Sequence, residues 1–320
     1  MRSKGFLAVL VFVVAACSTG GPETTALPTA GPTPTAGPPT ATPPAFPVTI
    51  TDDEGTAVTI TAEPHRIVSL TPATTEILFA IGAGSRVVGK VEDVANFPKE
   101  AASIPVVATF SKVDVEKIVS LGADLVVSGG TGLTQGAAVE QLRKAGIPVL
   151  VSYPTTLNGA LDSIRNIGAA VGLAGDASTL SDSISSDLYD LSTLAGSVDA
   201  QPRVFYEIDV TGGIFTPPAD SIYGDMFDLA NASLISGDAN YSISLEKLVA
   251  ADPEVILLGD GAYGVTAAQV KARAGWGGMT AVKDGRIVIV DDIVITRPGP
   301  RLVEGLKALI KAIHPDLVIP

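Results

Sequence analysis

The chain has 320 residues, 46% of them hydrophobic, and a formal charge of −13 at neutral pH. That length exceeds what one hydrophobic core ordinarily supports, so two lobes are expected, and so acidic a surface repels nucleic acid and anionic lipid headgroups. After the first 17 residues no apolar run reaches the ~18 residues of a membrane span, and a single cysteine excludes an internal disulfide framework.

In chain order, the opening segment "MRSKGFLAVLVFVVAACS" sets Arg2 and Lys4 before an apolar stretch from Gly5 to Ala16, too short to span a bilayer stably and suited to export. Cys17 follows directly. The run Val14-Ala15-Ala16-Cys17 resembles the bacterial lipoprotein box, in which a peptidase cuts before a cysteine that receives lipid; Val14 stands where leucine is usual. Residues 1–17 are therefore expected to be a lipoprotein signal ending at a lipidated Cys17, with a secretory signal and an incidental cysteine as the alternative. Residues 18–47 are almost entirely Pro, Thr, Gly and Ala and cannot bury enough apolar area to offset their ordering entropy, so they read as an extended, disordered tether. Fully extended as polyproline II it would reach ~90 Å at ~3.1 Å per residue. Anchor and tether place the remainder outside the cytoplasm, at the periplasmic face or cell surface, with the lipid as its only membrane contact.

From Val48 the sequence turns to alternating strands and helices. "VTITDDEGTAVTI" reads as a hairpin, "RIVSL" as a short buried strand, and Thr71-Pro72 as an N-cap followed by proline at the first helical position. Strand and helix then alternate through "RVVGK", "IPVVA", "VDVEKIVSLG", "DLVVS", "TQGAAVEQLRKAG" and "PVLVS", which predicts a mainly parallel sheet covered on both faces. Leu180, Ile184, Leu188, Leu191 and Leu194 recur at helical spacing behind Asp176, a candidate N-cap, and predict one long amphipathic helix. The alternation restarts at "RVFYEI" and ends in the helix "RLVEGLKALIKAIH". The expected fold is α/β: an N-terminal lobe at 48–174, a bridging helix at 175–200 and a C-terminal lobe at 201–320, two Rossmann-like lobes joined by one long α-helix.

One passage occurs twice. "VDVEKIVSLGADLVV" (113–127) is echoed 130 positions later in "ISLEKLVAADPEVILL" (243–258), so that Glu116 falls on Glu246 and Asp124 on Glu254. With "RIVSLTPATTEILFAIGAGSRVVG" and "GWGGMTAVKDGRIVIVDDIVITRPGPR", the echoed segments resemble the periplasmic substrate-binding proteins of ABC importers for cobalamin, haem and iron-siderophore chelates, in order from about residue 65 to the C-terminus. The resemblance implies a monomeric binding protein, not an enzyme, that takes up a metal chelate and delivers it to a permease dimer; within that family, aromatic loops with few basic residues near them favour a corrinoid over haem or a ferric siderophore. It also implies that Glu116 and Glu246, one on each lobe, meet arginines on the two permease subunits. Taken alone, each is equally an exposed first-turn glutamate favoured by the helix dipole. A sensor or adhesion module that retained the fold is the competing class.

No cofactor is expected. "VVSGGTGLTQG" follows a strand and opens a helix, but its third glycine is out of place and no acidic residue ends the next strand to hold a ribose. Nor is a metal site expected from His65 and His314 alone. A large chelate calls for broad apolar faces and a few polar groups. Phe97 and Phe110 in loops of the N-terminal lobe, with Phe215 and Tyr241 in the C-terminal lobe, are the candidate aromatic contacts, and loop packing is the alternative for each. By the resemblance, Phe110 falls where cobalamin binders use an aromatic. Arg297 is the candidate cation for an anionic chelate or a propionate, with an ion pair to Asp291 or Asp292 as the alternative.

Overall fold

A computed structural model describes residues 46–130 and 135–320; the export signal, Cys17, the tether as far as residue 45 and the tip of the glycine loop lie outside the described residues. The described chain begins with the expected hairpin, β1 (Val48–Thr51) antiparallel to β2 (Ala57–Ile60). Then come β3 (Ile67–Ser69), α1 (Pro72–Ala80), β4 (Val87–Val91), β5 (Val106–Ala108), α2 (Val115–Ser120), β6 (Leu125–Ser128), α3 (Gly136–Lys144) and β7 (Val149–Val151). The five strands from β3 onward form one parallel sheet in the order β5-β4-β3-β6-β7. Two helices follow, α4 (Leu157–Ala170) and α5 (Ala174–Ala195). The second half holds β8 (Arg203–Glu207), α6 (Ile222–Leu229), β9 (Ser233–Leu234), α7 (Leu245–Ala251), β10 (Val255–Leu258), α8 (Ala267–Lys271), α9 (Thr280–Asp284), β11 (Ile287–Ile289), α10 (Asp292–Thr296) and α11 (Leu302–Ile313). Its four strands are again all parallel, in the order β11-β10-β8-β9.

The α/β class, the parallel sheets and the long helix agree with the sequence reading, with two corrections. Asp176 does not cap α5; it lies in the first turn behind Leu173, where its charge still complements the helix dipole. Helix α4 was not anticipated. It is capped by Thr156, whose hydroxyl accepts from the Gly159 N–H at 3.1 Å, and it packs along α5. At the closest approach of the two, a Cβ on Gly168 would stand 2.1 Å from the Cβ of Ala177.

Strand alternation sorts the core. Ile67, Leu125 and Val127 of the first sheet, together with Val204, Tyr206, Val255 and Leu257 of the second, belong to one apolar cluster that also takes in α4, α5 and α11. Their strand neighbours point the other way. Val68 and Val126 pack under α2 and α3, and Phe205, Ile256 and Leu258 pack with Trp276 and Val270. The two sheets thus share a continuous core, with a smaller satellite on each outer face.

The echoed segments fold alike. Glu116 is the second residue of α2 behind the cap Asp114, and Glu246 the second of α7 behind Ser244; both are exposed. Asp124 accepts from the backbone N–H groups of His65 and Arg66, while the Arg66 side chain donates to the Leu121 carbonyl at 2.6 Å. In the second half, Glu254 accepts from the backbone of Arg203, whose side chain donates to the Ala251 carbonyl at 3.0 Å. In both cases an arginine opening the first strand of the sheet clamps the end of the glutamate-bearing helix.

A buried acidic pair lies beside Trp276. Glu207 is fully buried and ion-paired to Arg273, which also stacks over the Trp276 ring at 4.6 Å. The buried Asp260 carboxyl meets no N–H or hydroxyl donor among the described residues; its close neighbour is the Glu207 carboxylate, with which it can share a proton. Burial, and then the Glu207 charge, push the Asp260 carboxyl up to about 7. Between pH ~4 and ~7 the unfolded chain releases this proton while the folded protein retains it, so stability falls as pH rises through that window. Asp260→Asn should therefore gain on the wild type as pH rises, reaching on the order of 2–3 kcal/mol above pH 7. Urea midpoints at pH 5 and pH 8 check this; a difference between the proteins that is the same at both values would show that Asp260 is charged throughout.

Candidate functional site

The N-termini of α1 and α6 face one another across a cavity of about 580 Å³ between the two sheets. Its wall is drawn from the start of α1, the segment after β7, the start of α6, the Tyr241 loop and the end of α10. These segments lie at the carboxyl ends of parallel strands, the side on which open α/β sheets hold ligands.

Each wall is fixed by local chemistry. Thr71 caps α1 by accepting from the Thr74 N–H at 3.1 Å, and Pro72 at the first position fits the helical φ. Behind it the buried Ser69 hydroxyl bonds the hydroxyls of Thr74 and Thr75 at 2.7 and 2.8 Å. Ser221 caps α6 and donates to the Pro218 carbonyl at 2.6 Å. The segment before it lies so close to the helix that a Cβ on Gly224 would stand 1.8 Å from the Ala219 oxygen. Tyr241 adopts φ 62°, a left-handed conformation uncommon for a bulky residue. It is held there by Asp238, whose carboxylate accepts from the Asn240 and Ser242 N–H groups at 2.9 and 3.0 Å and whose carbonyl accepts from Tyr241 itself. Strained backbone maintained in this way concentrates at functional positions.

Three tyrosines converge on the cavity: Tyr153 after β7, Tyr223 at the start of α6, and Tyr241. Tyr223 and Tyr241 meet edge to face with ring centroids 6.3 Å apart. Burial, followed by the other nearby acidic groups, raises both phenols, strongly for Tyr223, so they are neutral hydroxyls with apolar faces. The Tyr206 hydroxyl, behind Tyr223, donates to Asp292.

Of the five residues singled out for ligand contact, Tyr241 and Arg297 line this cavity. Phe97 stands outside its wall, under the guanidinium of Arg301 at 4.2 Å. Phe110 is 90% exposed in the loop after β5, and Phe215 is half-buried in a short ladder with Asp209 and Ser242; neither lines the cavity. Arg297 does not pair with Asp291 or Asp292. Its guanidinium donates to Glu76 on α1 at 2.8 Å and to Asp93, after β4, at 3.1 Å, and Arg301 donates to both oxygens of the same Glu76 at 2.9 and 2.8 Å. Sequence reasoning missed Tyr153, Tyr223, Glu76 and Asp93. A second contact across the cleft joins the Leu157 N–H, at the start of α4, to Asp225 on α6 at 2.7 Å.

Among the described residues there is no group of three or more His, Cys, Asp or Glu side chains that could hold a metal ion, and no helix long and apolar enough to cross a membrane. His314 is buried with its Nε2 3.0 Å from the Ala230 carbonyl.

An uncharacterized ABC transporter substrate-binding lipoprotein of Bacillus subtilis, YvrC, is 37% identical over 85% of this chain and 87% of its own length. A cobalamin-binding protein of Halobacterium salinarum is 28% identical over 97% of this chain and 85% of its own. Among solved structures, the periplasmic heme-binding protein RhuT of a Roseiflexus species superposes with a TM-score of 0.68 at 25% identity, over 78% of this chain and 98% of that one. These relatives are binding proteins rather than enzymes. The sequence profile of the periplasmic binding proteins matches residues 67–294, and the chain, two parallel-sheet lobes about a ligand-sized cleft, belongs to that family as a substrate-binding protein of the ABC-transporter type.

Proposed function

We propose that this protein captures a corrinoid between its lobes and delivers it to an ABC import permease. The observation that carries this reading is the tyrosine-walled cavity whose one lining arginine is already occupied by two carboxylates. Flat apolar faces with neutral hydroxyls suit a large chelate ring with amide side chains, and a ligand bulkier than the cavity is held by the face that enters it. The cobalamin-binding relative supports the same ligand class. The heme-binding structural relative supports haem as the second reading. Cys17 would carry the lipid anchor, as the lipoprotein relative suggests, and residues 18–47 the tether, placing the protein outside the cytoplasm. Glu116 and Glu246 would dock on the two permease subunits. Phe97, Phe110 and Phe215 would contribute from the rim if the ligand extends beyond the wall.

Calorimetric titration with cyanocobalamin, haemin and a ferric siderophore tests the ligand class. Trp276 is buried against Phe205 and Arg273 and does not line the cavity, so heat is a better reporter than tryptophan quenching. Tyr153→Ala and Tyr241→Ala should each weaken cyanocobalamin binding by ~1–3 kcal/mol through loss of a stacking face. Tight haemin binding with no heat from cyanocobalamin would move the assignment to haem; unchanged affinity in both variants would place the ligand elsewhere.

A further inference from the structure

We infer that Glu76 and Asp93 set the charge selectivity of the cleft, by neutralising Arg297 so that the cavity admits uncharged chelate faces and turns away carboxylates. This rests on the reading of the cavity as the chelate site. Arg297 is the only Lys or Arg among the residues lining the cavity, so it is the side chain a carboxylate would seek there.

The geometry leaves it little to offer. Its guanidinium is shared between Glu76 and Asp93, and Glu76 is at the same time gripped by Arg301 through both oxygens. The Glu76 and Asp93 side chains are 1% and 4% exposed and the two arginines 12% each, so the four groups form a nearly dry network with two positive and two negative charges. Burial would raise the Asp93 carboxyl, but the Arg297 hydrogen bond and charge outweigh it and hold it below the usual range, so it stays ionised at neutral pH. The Arg301 guanidinium is likewise raised by its hydrogen bond to Glu76.

An incoming carboxylate would have to draw Arg297 away from two buried carboxylates, leaving one of them short of its partner in a poorly solvated place. The Asp220 carboxylate, which lies in the cavity wall, adds to the discrimination. The N-termini of α1 and α6 do carry partial positive charge toward the cavity, but Thr71 and Ser221 already take one N–H of each. What remains suits the carbonyl oxygen of an amide better than a full anion. The two carboxylates thus act on the ligand through Arg297, as positioning residues.

The test compares one ring in two charge states: cyanocobalamin, whose ring side chains are amides, and its tricarboxylic acid, in which three of those amides are hydrolysed and the nucleotide loop is kept, with haemin as a third probe. Each is titrated calorimetrically into the wild type, Glu76→Gln and Asp93→Asn. The wild type should bind the tricarboxylic acid at least tenfold more weakly than cyanocobalamin. The amide variants should narrow that ratio at least tenfold by gaining affinity for the acid, with cyanocobalamin affinity changed less than threefold. Asp93→Asn, which leaves Glu76 to both arginines, keeps the comparison available if Glu76→Gln fails to fold. A wild type that binds both rings equally, or a ratio unchanged in the variants, overturns the proposal. If the wild type binds no corrinoid, the corrinoid assignment fails separately and haemin decides: a gain in haemin affinity in the amide variants supports the charge rule, and no gain overturns it.

Discussion

Reversing both repeated glutamates, Glu116→Arg with Glu246→Arg, should lower transport at least tenfold in membranes holding the cognate permease, while ligand affinity stays at the wild-type value and stability falls only by the ~1–2 kcal/mol of two lost helix-dipole contacts. The two side chains occupy the same second position of short helices, are equally exposed, and belong to elements held by the same arginine clamp. They do not line the cavity. Docking through them would place one carboxylate on each of two permease subunits at once, and such charge pairs govern approach and register and weaken with salt. Single Ala variants should be milder than the double, the double Arg variant the most damaging, and high salt should narrow the differences in complex formation. Normal transport by the double Arg variant would reduce the echo to a record of how two similar lobes are built.

The largest loss of stability should follow Gly168→Val. The added Cβ would meet the Ala177 Cβ at 2.1 Å and the Leu173 oxygen at 3.0 Å, where α4 passes α5, and neither neighbour is the loose end of a long side chain. The helices must separate, at a cost of ~2–4 kcal/mol including the strain of overpacking. Denaturant unfolding reads this directly, and a midpoint equal to wild type would show that the crossing yields without cost. Ligand affinity should fall with it, since Thr156 at the start of α4 follows Tyr153, Pro154 and Thr155 of the cavity wall.

The alternation of elements was legible because its signals are local. Thr71-Pro72 announces α1, and the apolar run of each strand is bounded by turn residues. Helix α4 also carried such a signal, in Thr156 and in the spacing of Leu157, Leu161, Ile164 and Ile167, but the small residues between them dilute its apolar stripe. The cleft was less legible. Tyr223 reads as a packing residue on an amphipathic helix until the fold sets it against Tyr241, and Tyr153 is one more loop residue. The partners of Arg297 are the clearest case: Glu76 and Asp93 stand 221 and 204 positions away, and no local pattern connects them. Proximity in sequence favoured Asp291 and Asp292, whereas Asp292 is taken by Tyr206.

The apolar cluster that runs from Ile67 through α4, α5 and α11 to Leu257 bears on how cargo leaves. Spreading the lobes far enough to free a ligand would wet part of that shared interior, and uncovering roughly 200 Å² of apolar surface costs about 5 kcal/mol at ~25 cal/mol per Å². Thermal motion supplies openings of that size in only about one molecule in several thousand. A partner bound to both lobes at once would speed unloading to the extent that it binds the spread form more tightly than the closed one.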